Sequence, residues 1–206
     1  SNEIDYSPAW SVIRYNIKNI LKAVGLFCAN VIVFYVIFVY MPTNLSVVKK
    51  FPVYQVLVIN SLALFIIVCL VPCFGYLSDK IGHKKVLNTG AFITLVLCFP
   101  LFVLYQSSRI ELILFAQICF AVLAAWYVAP LLNVVANLFP TKHRYSGVGM
   151  SVNLAASVFG GTAPLMATYL AHISDSNILI CGYVVLSVLI SLCVINFSNL
   201  KNSYAN

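Results

Sequence analysis

GYLSDKIGHKKVL, residues 75–87, interrupts an almost uncharged sequence. The 206 residues hold twelve Lys and Arg and five Asp and Glu, yet Asp79, Lys80, Lys84 and Lys85 fall together here beside His83. Before this island lies FPVYQVLVINSLALFIIVCLVPCFGYLS at 51–78, and after it VLNTGAFITLVLCFPLFVLYQSS at 86–108. Each run exceeds the ~20 residues a helix needs to cross the hydrocarbon core of a bilayer. The island therefore reads as the short polar connection between two membrane crossings.

The pattern recurs along the chain. Charge-free runs at 23–48, 112–141, 145–171 and 176–200 bring the total to six. Barrel strands would be about half as long and alternate in polarity, and these runs do not alternate. With 62% hydrophobic residues, the reading is an all-α membrane protein of six transmembrane helices, spans 1–6. Residues 1–22 form a linker whose basic amphipathic segment sets Ile13, Ile17, Ile20 and Leu21 against Arg14, Lys18 and Lys22. Residues 23–200 form the membrane domain and 201–206 a tail. Such a segment rests at a membrane–water interface and binds lipid headgroups.

Charge fixes an expected orientation, because cytoplasmic loops collect Lys and Arg. Arg14, Lys18, Lys22, Lys80, Lys84, Lys85, Lys142, Arg144 and Lys201 lie on one side; Lys49, Lys50 and Arg109 lie on the other. Both termini are thus expected in the cytoplasm. The net charge of +7 belongs to membrane loops rather than to a nucleic-acid surface.

The sequence offers no chemistry for catalysis. It has no carboxylate dyad, phosphate-cradling glycine loop or metal-ligand cluster, so neither an enzyme nor a cofactor or metal is expected. All seven cysteines sit in the oily runs without a Cys-x-x-Cys spacing and read as small buried hydrophobes.

Polar groups inside spans carry the functional expectations. They are Asn30 and Tyr35 in span 1, Asn60 in span 2, Gln117, Trp126, Tyr127 and Asn133 in span 4, and Asn153 in span 5. Trp126, Pro130, Asn133 and Asn137 share one helical face, and Pro130 is expected to bend span 4. Such a face suits a small zwitterionic solute, with the aromatic plate meeting a quaternary ammonium; helix–helix hydrogen bonding is the other reading. In span 5, Gly149, Asn153, Ser157 and Gly161 form a stripe, with Gly147, Ser151 and Ala155 beside it. Small residues at this spacing are expected to pack closely on another helix.

The island itself resembles the Gly-x-Leu-x-Asp-Arg-x-Gly-Arg-Arg loop motif of the major facilitator superfamily. Gly75, Asp79 and Gly82 match, while Lys80, His83 and Lys84 stand where the motif has arginines. VFYVIFVYMPTNLS (33–46) and LFPTKHRYSGVGMSVNLAASVFGGTAPLMATYL (138–170) are similar to the seventh, and the tenth-to-eleventh, helix regions of its metabolite:proton symporters, nearest the proline/betaine type. The resemblance implies six helices equivalent to helices 7–12, one half of a twelve-helix major facilitator fold, in a bacterial inner membrane. It implies a solute carried with protons by alternating access, and Asp79 as a conformational latch onto a helix of the other half. Asn30, Tyr35, Trp126, Asn133 and Asn153 are then the candidate solute-binding residues. The expected partner is an N-terminal six-helix half or a second copy. A non-transporting membrane interaction protein, or half of a sugar or dicarboxylate symporter, are the alternatives.

The charge count makes a direct prediction. A fluorescent protein fused after Lys201 should fluoresce, and alkaline phosphatase at the same point should be inactive. The same fusions at Ser108 should behave in the opposite way; equal behaviour at both points would overturn the orientation.

Overall fold

The computed structural model describes residues 8–174 and 177–197, with side chains placed from residue 16 onward. The expected tail at 201–206 lies outside the described residues, as does the polar start at 1–7. Among the described residues the chain is helical with no strand, and six helices are long and apolar enough to span a membrane. They are Asn16–Val47, Val53–Ile81, His83–Leu104, Ile110–Ala136, Thr141–Ile173 and Ile178–Phe197. The first helix starts at Pro8 and kinks at Asn16, whose φ of −128° and ψ of 18° leave the helical region. That kink lies ahead of the expected linker boundary at residue 22. Beyond it Ile17, Lys18 and Leu21 remain exposed.

Spans 1 and 4 organise the bundle. Span 4 packs against spans 2 and 3, span 1 against spans 5 and 6, and spans 3 and 6 against each other. Exchanging 1 with 4, 2 with 5 and 3 with 6 leaves this set of neighbours unchanged. Successive spans run antiparallel, so spans 1 and 4 cross in opposite senses. The six helices are therefore two inverted three-helix repeats. Burial is least in one equivalent pair: 11% of the most apolar stretch of span 2 and 22% of that of span 5 are buried, against 39% to 67% in the other four spans. Spans 2 and 5 are equivalent positions of the repeat, and both leave a broad face open.

Backbone carbonyls of span 1 anchor its neighbours. Tyr127 of span 4 donates its hydroxyl to the Leu26 carbonyl at 2.9 Å, and Ser191 of span 6 donates to the Gly25 carbonyl at 2.7 Å. Spans 3 and 6 meet where Cys98 and Cys181 bring their sulfurs to 3.6 Å, both buried and free. At the end of span 3, the rings of Phe102, Tyr105 and Phe120 cluster with centroids 5.7–6.1 Å apart.

The connection between spans 2 and 3 is one residue, Gly82. Its φ of +106° lies where a side chain is strained. Its N–H closes span 2 on the Ser78 carbonyl at 2.9 Å, and its carbonyl opens span 3 by accepting from Lys85 and Val86.

Span 4, expected to bend at Pro130, runs as one α-helix from Ile110 to Ala136 with the proline inside it. Spans 1 and 5 contain π turns at Val36–Tyr40 and Ala156–Gly160. A proline removes one backbone donor and a helix absorbs that. A π turn shifts the hydrogen-bond register and persists where neighbours or hydroxyls take the freed carbonyls. In span 5 the two small-residue registers separate. Gly147, Ser151 and Ala155 form the buried register on span 1, whereas Gly149 and Gly161 have open space where a Cβ would stand. The stripe of Gly149, Asn153, Ser157 and Gly161 faces away from the bundle.

A Cβ at Gly147 would overlap the ring of buried Phe139. Gly147→Ala should lower stability in detergent by roughly 1–3 kcal/mol through overpacking, while Gly149→Ala, two residues along, should leave thermal unfolding unchanged or slightly raised. Equal effects of the two would contradict the register.

Candidate functional site

The interior polar groups separate into a buried clamp and an open face. Pro42 has no N–H, so the Phe38 carbonyl four residues earlier loses its helical donor. The π turn diverts the Met41 N–H to the Val36 carbonyl, which frees the Ile37 carbonyl as well. An unpaired carbonyl in a membrane costs several kcal/mol, and two amides from other spans answer these. Asn60 Nδ2 of span 2 donates to the Phe38 carbonyl at 3.2 Å. Gln117 Nε2 of span 4 donates to the Ile37 carbonyl at 3.4 Å and to Asn60 Oδ1 at 3.0 Å.

The clamp extends through span 3. The buried Tyr105 hydroxyl donates to Gln117 Oε1, and the Tyr105 carbonyl accepts from Lys49 Nζ in the loop after span 1. That lysine caps the carbonyl end of span 3, a favourable place for a cation, and burial pulls its ammonium below the ordinary lysine pKa. Asn60 and Gln117 were visible in the sequence as interior amides but not as one unit. Tyr105 and Lys49 were missed, since both sit at span ends where tyrosine and lysine are common.

The five candidate solute-binding residues do not converge. Trp126 sits in a seam: its Nε1 donates to the Val86 carbonyl at 3.1 Å and its ring lies 4.8 Å from Phe74. Gly90 makes room for it, because a Cβ there would stand 2.9 Å from the indole. Asn30 borders a crevice of about 20 Å³ beside Thr94 and Tyr127, space for a water and not for a solute. Tyr35 is half-buried between Phe34 and Gly160. Asn133 and Asn153 are exposed. Asn153 lies in a concavity of about 720 Å³ with Thr141, Arg144 and Tyr145. A second cleft of about 770 Å³ opens at the end opposite the island, lined by Tyr40, Thr43, Asn44, Lys49, Thr168 and His172 among others.

The island is ordered within itself. His83 Nε2 lies 3.8 Å from Asp79 Oδ1, and His83 Nδ1 lies 2.9 Å from Ser78 Oγ, which donates to the Gly75 carbonyl at 2.8 Å. Lys80 reaches over the Tyr76 ring at 4.5 Å. Lys84 is half-buried. The Asp79 side chain is 61% exposed, and Gly75 has open space where a Cβ would stand. The motif's carboxylate and its small residue thus both lie on the surface of span 2.

Inverted three-helix repeats, an open face on the equivalent spans 2 and 5, and a surface carboxylate after span 2 together define a transporter-type membrane bundle. The chain belongs to the Major Facilitator Superfamily, whose profile matches residues 23–204, and it is an integral membrane protein. It is 30% identical over 173 residues to the ectoine/proline transporter of Corynebacterium glutamicum, covering 84% of this chain and 34% of that one. It is 29% identical over 175 residues to the proline/betaine transporter of Escherichia coli K12, covering 83% and 34%. It is 28% identical over 207 residues to a putative proline/betaine transporter of Staphylococcus aureus COL, covering 95% and 43%. The chain spans between a third and under half the length of these relatives. No solved structure matches it.

The Trp126 seam is open to a double-mutant cycle. Trp126→Phe removes the bond to Val86 and should cost roughly 0.5–1.5 kcal/mol, and Gly90→Ala should cost roughly 1–3 kcal/mol by pushing on the same ring. The pair should fall short of the sum, because both act on one contact; strict additivity in detergent unfolding would separate the two residues.

Proposed function

We propose that this chain is half of a secondary transporter, moving a small zwitterionic osmolyte or amino acid of the proline/betaine type together with protons by alternating access. The observation that carries the reading is the open face of spans 2 and 5, on a chain similar to less than half of transporters named for proline, ectoine and betaine. In a two-half carrier the solute sits near the midplane between halves, and this face is what the present half contributes. Asn133 and Asn153 offer amide donors and acceptors to a carboxylate. Tyr35 offers an aromatic ring to a cationic nitrogen.

Proton coupling needs an ionisable group within the membrane. No Asp, Glu, Lys or Arg interrupts the six oily runs of this sequence, so the coupling acid belongs to the other half. That half is the proposed partner. At the cytoplasmic end of span 2, the exposed Asp79 meets the N-terminus of one of its helices, where a carboxylate is favoured by free N–H groups and the helix dipole. Lys80 and Lys84 replace the bidentate guanidinium contacts of the motif with single-point ones. Gly75 gives the partner helix room to approach and Gly82 sets the turn, so the latch still closes but holds less tightly. Both termini then lie in the cytoplasm of a bacterial cell.

Reconstituted alone in liposomes, the chain should take up no labelled proline or betaine. Co-reconstituted with a six-helix N-terminal half of a relative, it should show uptake that a protonophore abolishes, and Asn153→Ala should raise the half-saturating concentration at least tenfold. Uptake by the chain alone would replace the two-half reading with a working homodimer. Unchanged affinity in Asn153→Ala would remove that residue from the site.

A further inference from the structure

Spans 1 and 5 carry the two π turns, and the turns lie where these helices meet. Gly160, the last residue of the span 5 turn, rests against Tyr35, the residue just ahead of the span 1 turn. A Cβ on Gly160 would come within 2.8 Å of Tyr35 Cε2 and 3.1 Å of Val31 Cγ1. Past the turns, Met41–Val47 and Gly161–Ile173 supply opposite walls of the cleft of about 770 Å³, with Thr43 and Asn44 on one side and Pro164, Thr168 and His172 on the other. Two bent helices share a contact point and enclose one cleft.

They are held very differently. The span 1 turn has both freed carbonyls bound by Asn60 and Gln117, and the segment beyond it buries Met41 and Leu45 completely or nearly so. Among the described residues, the side-chain hydrogen bonds to the span 5 turn come from its own helix: Thr162 Oγ1 donates to the Val158 carbonyl at 2.6 Å. Pro164 denies the Gly160 carbonyl its helical donor, and among the described residues no side chain of another span hydrogen-bonds the turn. Beyond it, Ala163 and Ala167 are the buried residues of the segment. Two methyl groups offer far fewer dispersion contacts than a methionine and a leucine.

We propose that the cleft is gated by span 5, whose segment Gly161–Ile173 pivots at the Ala156–Gly160 turn on the Tyr35 ring, against a span 1 pinned by Asn60 and Gln117. The two amides are positioning residues: they decide which of two similarly weakened helices moves. Tyr35 is the bearing, and Gly160 is small so that backbone can ride on the ring. This goes beyond the transport reading and draws on it only for the purpose of the motion; it holds whichever solute is carried.

Segment-resolved hydrogen exchange on the whole chain in detergent, with no solute present, tests the idea. Amides of 157–168 should exchange at least tenfold faster than those of 37–48. The double variant Asn60→Leu with Gln117→Leu should speed 37–48 at least tenfold and leave 157–168 unchanged. Pro164→Ala, which returns a donor to the Gly160 carbonyl, should slow 157–168. Equal exchange of the two segments in the unaltered chain would overturn the proposal, as would a double variant that loosens both segments alike or neither. If the double variant does not fold, Pro164→Ala decides: exchange that does not slow rejects the pivot. Because no solute enters the experiment, its failure leaves the solute reading untouched.

Discussion

Within a bilayer no water waits to replace a missing backbone hydrogen bond, and the arrangement of this bundle turns on where that happens. Pro42 and the π turn before it free the carbonyls of Ile37 and Phe38. Asn60 and Gln117 fill both positions from two different spans, and Tyr105 holds Gln117 from a third. One break in span 1 therefore fixes its depth and rotation relative to spans 2, 3 and 4. Apolar packing alone would do this poorly, since lipid tails compete on equal terms with leucine.

A second organising fact is the uneven sharing of burial. The central helices satisfy themselves within the six: span 1 is wrapped by its neighbours, and Tyr127 and Ser191 reach its carbonyls. Spans 2 and 5 do not. Their open faces carry Gly75, Asp79, Gly149 and Asn153, small or polar groups that would gain nothing from lipid. The same inverted symmetry that builds the bundle places these two faces at equivalent positions.

The six spans were legible because charge is scarce and sits only where helices end, and the motif around Gly82 was legible because its glycines and aspartate keep fixed spacing. What the sequence hid was direction. Asn60 and Asn153 look alike as amides in an oily run, yet one is drawn to a freed carbonyl and the other to the open face. Trp126 stood out as an aromatic plate, and the sequence did not show that its indole donates to the Val86 carbonyl or that its ring packs on Phe74 beside Gly90. Pro130 leaves span 4 α-helical throughout, while Pro42 and Pro164 each follow a π turn. In span 5 two small-residue registers lie side by side, and only contact with Phe139 distinguishes the packed one.

The connection at Gly82 carries a mechanical consequence. Two helices of 29 and 22 residues are joined by a single residue whose N–H and carbonyl are both committed to the helices it joins. Such a joint has no slack. Span 2 can tilt only about this joint, and span 3 beyond it meets span 6 at Cys98 and Cys181. Asp79 lies within one turn of that joint, so the charged corner sits beside the pivot itself, a hinge pin rather than a tether.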